Sequence, residues 1–352
     1  MKPCINKNRI VYLDLLRICA IFSVIVIHVS AIAEDSESDL TGYVGLVYNS
    51  MVRWAVPIFF MISGAMFLRK DKNYTFAIMI KKYIPRLLIC IIFWGFLYSL
   101  LDIYLYSNFS LKTLLLCFIN VFSNNSGYHL WFLYALIALY IMVPLFRIIV
   151  KNLSQKQLIF VIMCWMILSL GIAQFNLITK TLSIPVSINW YFPMISGYAG
   201  YFLLGYYLMN YDVSKMIKNI LLILGTLALA LGIVLNVVFT KKAGYKIDAF
   251  LSQDGISSCL VAISVFLIFK SLFNRQFSVK VSKIIKSISQ HTFGIYLIHV
   301  FVISVIFHIF NLKIDLINSV ISIPIFSLLV FILSYILIFL FSNIPILKKV
   351  VM

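Results

Sequence analysis

Long apolar runs alternate with short polar stretches along the whole chain. The runs fall near 10–33, 44–68, 83–106, 129–150, 157–175, 190–209, 217–239, 256–273, 291–310 and 316–341. Each is close to the 20 or so residues that an α-helix needs to cross hydrocarbon. A bilayer core offers no water, so backbone groups must bond within the segment, and each run is expected to be a helix. The pattern predicts an all-α polytopic membrane protein with about ten transmembrane helices. The stretch 111–122 is too short to span and is expected to lie in the outer interface as an amphipathic helix. No loop is long enough to house a second folded unit, so residues 1–352 are expected to form one integral membrane domain.

The loops carry charge in alternation. Lys2, Lys7 and Arg9 precede the first run, and the next loop, 34–43, holds Glu34, Asp35, Glu37 and Asp39 with no basic residue. Loop 69–82 is crowded with Arg69, Lys70, Lys72, Lys81 and Lys82, and loops 151–156 and 270–290 are basic again. Loops 107–128 and 176–188 hold one lysine each. Basic loops stay in the cytoplasm, so both termini are expected there, with an even number of spans. Loop 240–255 runs against the rule, with Lys241, Lys242 and Lys246 on the outer side. Ala31-Ile32-Ala33 resembles a signal-peptidase site. The preceding run is too long for a signal peptide and holds Asp14, Arg17 and His28, so it is read as a retained span.

Composition narrows the class. The 352 residues are 63% hydrophobic and 11% charged, with a formal net charge of +18. Soluble domains are about a quarter charged. The basic residues sit between apolar runs rather than along a helix or beside a stacking platform, so no nucleic-acid partner is expected. Of Cys4, Cys19, Cys90, Cys117, Cys164 and Cys259, four lie inside apolar runs, where cysteine serves as a small hydrophobe. No Cys-x-x-Cys or Cys/His spacing points to zinc, and neither a disulfide nor a metal site is expected.

Ionisable groups inside a span cost several kcal/mol and are functional candidates by default. The first span holds Asp14, Arg17 and His28. Arg17 and His28 are eleven residues apart, three turns plus about 20°, which puts them on one face separated by ~16 Å along the axis. Asp14 is three residues before Arg17 and within reach of it. A cation and a base on one face suit a long substrate with an anionic head. Arg53 lies well inside the second span. His299 sits mid-span in the ninth, with His308 nearer its outer end, where a histidine needs no functional explanation. His129 and Trp131 mark the outer mouth of the fourth span, as a glycan contact or as interface residues. Arg53, His129, Trp131 and His299 are therefore candidate substrate-binding residues.

These segments together resemble the membrane-bound acyltransferase type 3 family. The first span, YLDLLRICAIFSVIVIHVS, is similar to that family's opening motif of a basic residue, ten residues and a histidine, here Arg17 and His28. Further similar segments are VPIFFMISGAMFL at 56–68, YHLWFLYALIALYIMVPLF at 128–146, GYFLLGYYL at 200–208 and HTFGIYLIH at 291–299. The set looks closest to stand-alone sugar O-acetyltransferases of that family, such as those that modify enterobacterial common antigen.

The resemblance implies an enzyme of the bacterial inner membrane. It would take an acyl group, usually acetyl, from cytoplasmic acyl-CoA as co-substrate and place it on an envelope carbohydrate. It implies that His28 is the catalytic centre and that Arg17 contributes to the donor site. The family's Arg-x-x-Arg for the donor corresponds here to KKYIPRLL, where Arg86 fits the second arginine, Tyr83 stands at the first, and Lys82 is the neighbouring cation. Lys82 and Arg86 are thus expected at the CoA phosphates. His28 could accept a proton from a sugar hydroxyl or carry the acyl group itself. Two other classes remain: a transporter or flippase of a lipid-linked glycan, which mid-span Pro57 and Pro144 would suit, and a non-catalytic membrane partner.

Overall fold

The computed structural model describes residues 10–351 apart from 36–38, 107–109, 123–125, 191–196, 276 and 317. The helices in chain order are α1 (Val11–Glu34), α2 (Asp39–Val52), α3 (Ala55–Phe67), α4 (Phe76–Ile78), α5 (Ile84–Tyr106), α6 (Leu111–Phe122), α7 (Trp131–Asn152) and α8 (Gln155–Trp165). There follow α9 (Ile172–Thr181), α10 (Ala199–Asn210), α11 (Lys215–Ala243), α12 (Ile256–Phe273), α13 (Val279–Ser304), α14 (Ser319–Ser342) and α15 (Pro345–Val351). Among the described residues there is no strand, and nine helical stretches are long and apolar enough to cross a bilayer. The chain is a polytopic all-α membrane protein. The expected span at 190–209 is represented by α10, and its first part, 191–196, lies outside the described residues. Lys2, Cys4, Lys7, Arg9 and Glu37 also lie outside them. The five described cysteines are unpaired.

The structure departs from the apolar pattern at two places with clear causes. The run 44–68 is two helices, broken at Arg53–Trp54. Pro57, in the first turn of α3, cannot donate a backbone bond, and its ring crowds the carbonyl four residues back, that of Arg53. The ninth span begins at Val279 rather than near 291. Ser278 caps it by accepting from the Val281 amide, and the added turns expose Lys280, Lys283 and Lys286 at the end of the bundle where the basic loops gather. That end is the basic end below. The short helix at 111–122 is present as α6.

α1 and α13 form the centre. The most apolar window of α13 is 67% buried, against 17% for α11, which turns Ile220, Leu227, Leu231 and Val234 outward. α1 packs on α2, α3, α12, α13 and α14 and buries Leu16, Ile21 and Ile25 completely. α3 and α10 pack tightly against each other. A methyl group on Gly64 would strike the Phe202 carbonyl, and one on Gly205 the Met61 carbonyl. Small residues permit this contact, and in lipid close packing is what holds helices together.

The outer loop 244–255 is strongly tied. Lys246 pairs with Glu34 and Arg53 with Asp248, the latter at 2.9 Å. Gln174 Nε2 donates to the carbonyls of Ala249 and Phe250, and Asn236 Oδ1 accepts from the Phe250 amide. Lys241 and Lys242 occupy the last turn of α11, before Gly244 in the left-handed conformation (φ 73°). Cations at a helix C-terminus oppose its dipole. Of these lysines Lys246 thus has an ion-pair partner, and Lys241 and Lys242 sit at a helix C-terminus.

Candidate active site

The face of α1 that the sequence singles out borders two cavities in line. Arg17 lines the first, of 360 Å³, with Arg86, Ser63, Tyr140, Gln290 and Phe293. His28 lines the second, of 60 Å³, with Val24, Ile27, Val56, His129, Trp131 and Gln253. Phe59, Phe132 and Tyr296 line both. Their rings pack on one another, with centroids 5.9 Å apart for Phe59 and Phe132 and 5.4 Å for Phe132 and Tyr296. A molecule entering by Arg17 therefore meets an aromatic wall with His28 behind it.

Three histidines from distant parts of the chain meet at the second cavity. The His28 ring centroid is 5.2 Å from that of His299 and 6.5 Å from that of His129, and His129 and His299 are 5.2 Å apart. His28 is partly exposed, whereas His129 and His299 are 2% and 0% exposed. His28 is thus the accessible member, with the other two behind it. His299 Nδ1 lies 2.7 Å from the Tyr296 carbonyl. A carbonyl only accepts, so Nδ1 carries the proton and Nε2 keeps its lone pair in the neutral ring. That Nε2 is buried without a hydrogen-bond partner among the described residues, and His129 has at most a poorly aligned contact with the Leu297 backbone. Unmet buried polar atoms are costly and point to a site.

Two tyrosines hold this centre. Tyr296 donates its hydroxyl to the His129 carbonyl. Tyr98, on α5, donates to the Leu297 carbonyl at 2.7 Å and accepts from the Phe301 amide at 3.1 Å. In an uninterrupted helix those two backbone groups bond each other. The Tyr98 hydroxyl is inserted into the α13 ladder at the turn that carries His299, a known cause of local helix distortion. The Tyr98 ring also meets His129 edge-on at 4.8 Å.

The other sequence candidates take varied positions. Arg86 lines the first cavity, its guanidinium 5.6 Å from the Phe293 ring centroid. Lys82 is exposed on the π turn Met79–Tyr83 and lines neither cavity. Arg53 lines neither; it donates to Asn49 Oδ1 at 2.6 Å and to Asp248, while Asn49 Nδ2 donates to the carbonyl of Ile27, beside His28. Trp131 borders the His28 cavity and packs on Tyr198 at 5.5 Å. Asp14 accepts from Ser289 Oγ at 2.6 Å, which ties α1 to α13 at the edge of the first cavity, which Ser289 lines. His308 is exposed at the far end of the α13 stretch. Sequence reading did not single out Phe59, Phe132, Tyr296, Tyr98 or Gln253. With 20 tyrosines and 30 phenylalanines no single ring stands out, and Gln253 gains meaning only from the loop that carries it. Among the described residues no three His, Cys, Asp or Glu side chains are arranged to hold a metal ion.

Fold and site together define an integral membrane protein with an internal path, arginines at one end and a histidine centre at the other. A family model described as an acyltransferase domain matches residues 10–341, and the chain belongs to that family, acyltransferase type 3. No curated protein and no solved structure matches it.

Proposed function

We propose that the protein is an acyl-CoA-dependent O-acyltransferase of the bacterial inner membrane that acetylates a hydroxyl of an envelope carbohydrate. The observation that carries this reading is the pair of cavities in line along one face of α1, arginine-lined at the basic end and histidine-lined beyond the aromatic wall. The charge pattern assigns the basic end to the cytoplasm, where acyl-CoA resides. The ~16 Å between Arg17 and His28 suits the extended pantetheine arm. Arg17 and Arg86 then meet the anionic part of the donor, and the thioester reaches His28 between Phe59, Phe132 and Tyr296. The small volume beside His28 favours a two-carbon acyl group over a long chain.

On the far side, Trp131 offers an aromatic face to a sugar ring, with Gln253 beside it. In the step itself, the acceptor oxygen attacks the thioester carbonyl while His28 takes the hydroxyl proton. The C–S bond breaks, the ester forms, and the proton passes to the CoA sulfur. His299, with its tautomer fixed by the Tyr296 carbonyl, packs against the His28 ring.

The test is acyl transfer by purified protein supplied with radiolabelled acetyl-CoA and lipid-linked envelope glycan. His28→Ala is expected to insert normally, because it removes a polar group from a span. It should lose about 10²–10⁴-fold in transfer, the usual cost of losing a general base. A well-inserted His28→Ala protein at near-parent rate overturns the reading, as does a parent that moves glycan across vesicles without consuming acetyl-CoA.

A further inference from the structure

A second, larger concavity lies at the basic end, beside the path just described. It encloses 730 Å³ between the loop after α3 and the last turns of α7. That is within the roughly 300–1,000 Å³ of small-molecule sites. Lys70, Lys72 and Lys151 all line it.

The loop that forms one wall is fixed from beneath. Arg147, on α7, donates to the carbonyls of Phe67 at 3.0 Å and Arg69 at 2.9 Å, and also to that of Lys72. Its guanidinium lies 5.8 Å from the Tyr74 ring centroid. Arg69 is committed too, through Nε to Asp71 Oδ1 at 2.8 Å and through Nη2 to Oδ2 at 2.6 Å. That fork holds the Asp71 carboxyl below the ordinary carboxylate range, so its charge is matched within the loop. Lys70, Lys72 and Lys151 are left over. All three are exposed, and none makes an ion pair or side-chain hydrogen bond among the described residues. Three exposed ammonium groups, none held in an ion pair and only Lys72 also acting on the Asp71 carboxylate, thus line one preformed basin.

The basin adjoins the Arg17 cavity through three rings. Tyr74 lines the basin, and Phe67 and Tyr83 line the cavity. Their centroids are 5.0 Å apart for Phe67 and Tyr74, 5.8 Å for Tyr74 and Tyr83, and 5.1 Å for Phe67 and Tyr83. A flexible arm crossing this aromatic saddle would have its head among the lysines and its tail directed past Arg17. By contrast, Lys82 lines neither space.

We propose that the Lys70–Lys72–Lys151 basin is the binding site for the 3′-phosphorylated adenosine end of the acyl donor, its 3′-phosphate resting on these three amines while the diphosphate lies across the saddle toward Arg17 and Arg86. This rests on the acyl-CoA reading above and adds where the head is held and what holds it. An anionic phospholipid headgroup presents the same phosphate chemistry, so the experiment separates the two sources.

Purified protein in nanodiscs would be assayed with acetyl-CoA and with 3′-dephospho-acetyl-CoA, and CoA binding would be measured separately by calorimetry. The parent is expected to show a lower KM for acetyl-CoA than for the dephospho form. Lys70→Gln/Lys72→Gln/Lys151→Gln should raise the KM for acetyl-CoA by roughly 10-fold or more, as loss of three partly exposed charge contacts does, leave kcat near the parent value, and abolish the preference between the two donors. Should the triple variant insert poorly, the three single Gln variants carry the same test, each narrowing the preference. Retention of the full preference in inserted variants overturns the proposal. So does the headgroup result, in which the variants lose only a dependence on anionic lipid in the nanodisc and still discriminate the 3′-phosphate. A parent that neither binds CoA nor consumes acetyl-CoA refutes the acyltransferase reading itself, a distinct outcome.

Discussion

The three histidines differ in what surrounds them more than in what they are. His28 borders open space, His299 is committed through Nδ1 to the Tyr296 carbonyl, and His129 is enclosed by Tyr98, Tyr296 and the other two imidazoles. The hydroxyl of Tyr98 governs the turn on which His299 sits. In Tyr98→Phe the Leu297 carbonyl and Phe301 amide are free to bond each other again, which shifts that turn. The expected result is a kcat lowered about 10-fold, inside the range that a 1 Å misplacement can cost, with the KM for acyl-CoA unchanged. Steady-state kinetics with both substrates would check it, and an equal loss in KM would assign Tyr98 to packing alone. Arg17 and His28 were legible from the sequence because their spacing puts them on one face of one helix. Tyr98 was not, because its partner lies 199 residues away and no local pattern encodes the meeting.

Among the elements, the break between α2 and α3 is the most consequential. A continuous helix through 44–68 is what hydropathy alone predicts. Pro57 interrupts it and frees Arg53 to reach Asp248 on the outer loop. Asp248 is 41% exposed, which keeps the pair weak, about 0.5–1 kcal/mol. A double-mutant cycle of Arg53→Ala and Asp248→Ala, read by thermal unfolding in detergent, is expected to show coupling of that size. Both single variants should also raise the KM for the glycan acceptor and leave that for acyl-CoA alone, since the loop they anchor carries Gln253 to the His28 cavity. The positions of the apolar helices were readable because lipid demands long uninterrupted runs. Helix ends were not. The polar first turns of α13 and the tight α3–α10 contact at Gly64 and Gly205 depend on capping and on neighbours, which hydropathy does not see.

For the molecule as a whole, the alternation of basic and acidic loops orients the helices. The charge rule then sets the acidic loop at 34–43 outside the cytoplasm. In a cysteine-free background, Asp39→Cys is expected to react with an impermeant maleimide added outside spheroplasts, and Lys72→Cys only after permeabilisation. Reaction of Asp39→Cys from the cytoplasmic side alone would invert the assignment.

The wall of Phe59, Phe132 and Tyr296 has a bearing on the cell's energy supply. In an energised membrane two cavities in line within one protein are a potential short circuit for the proton gradient, and the three packed rings are the partition between them. Phe132→Ala would thin that partition. Reconstituted in vesicles under a pH gradient, this variant is expected to dissipate the gradient faster than the parent when no donor is present, and adding CoA should slow the leak by stoppering the hollow from the cytoplasmic side.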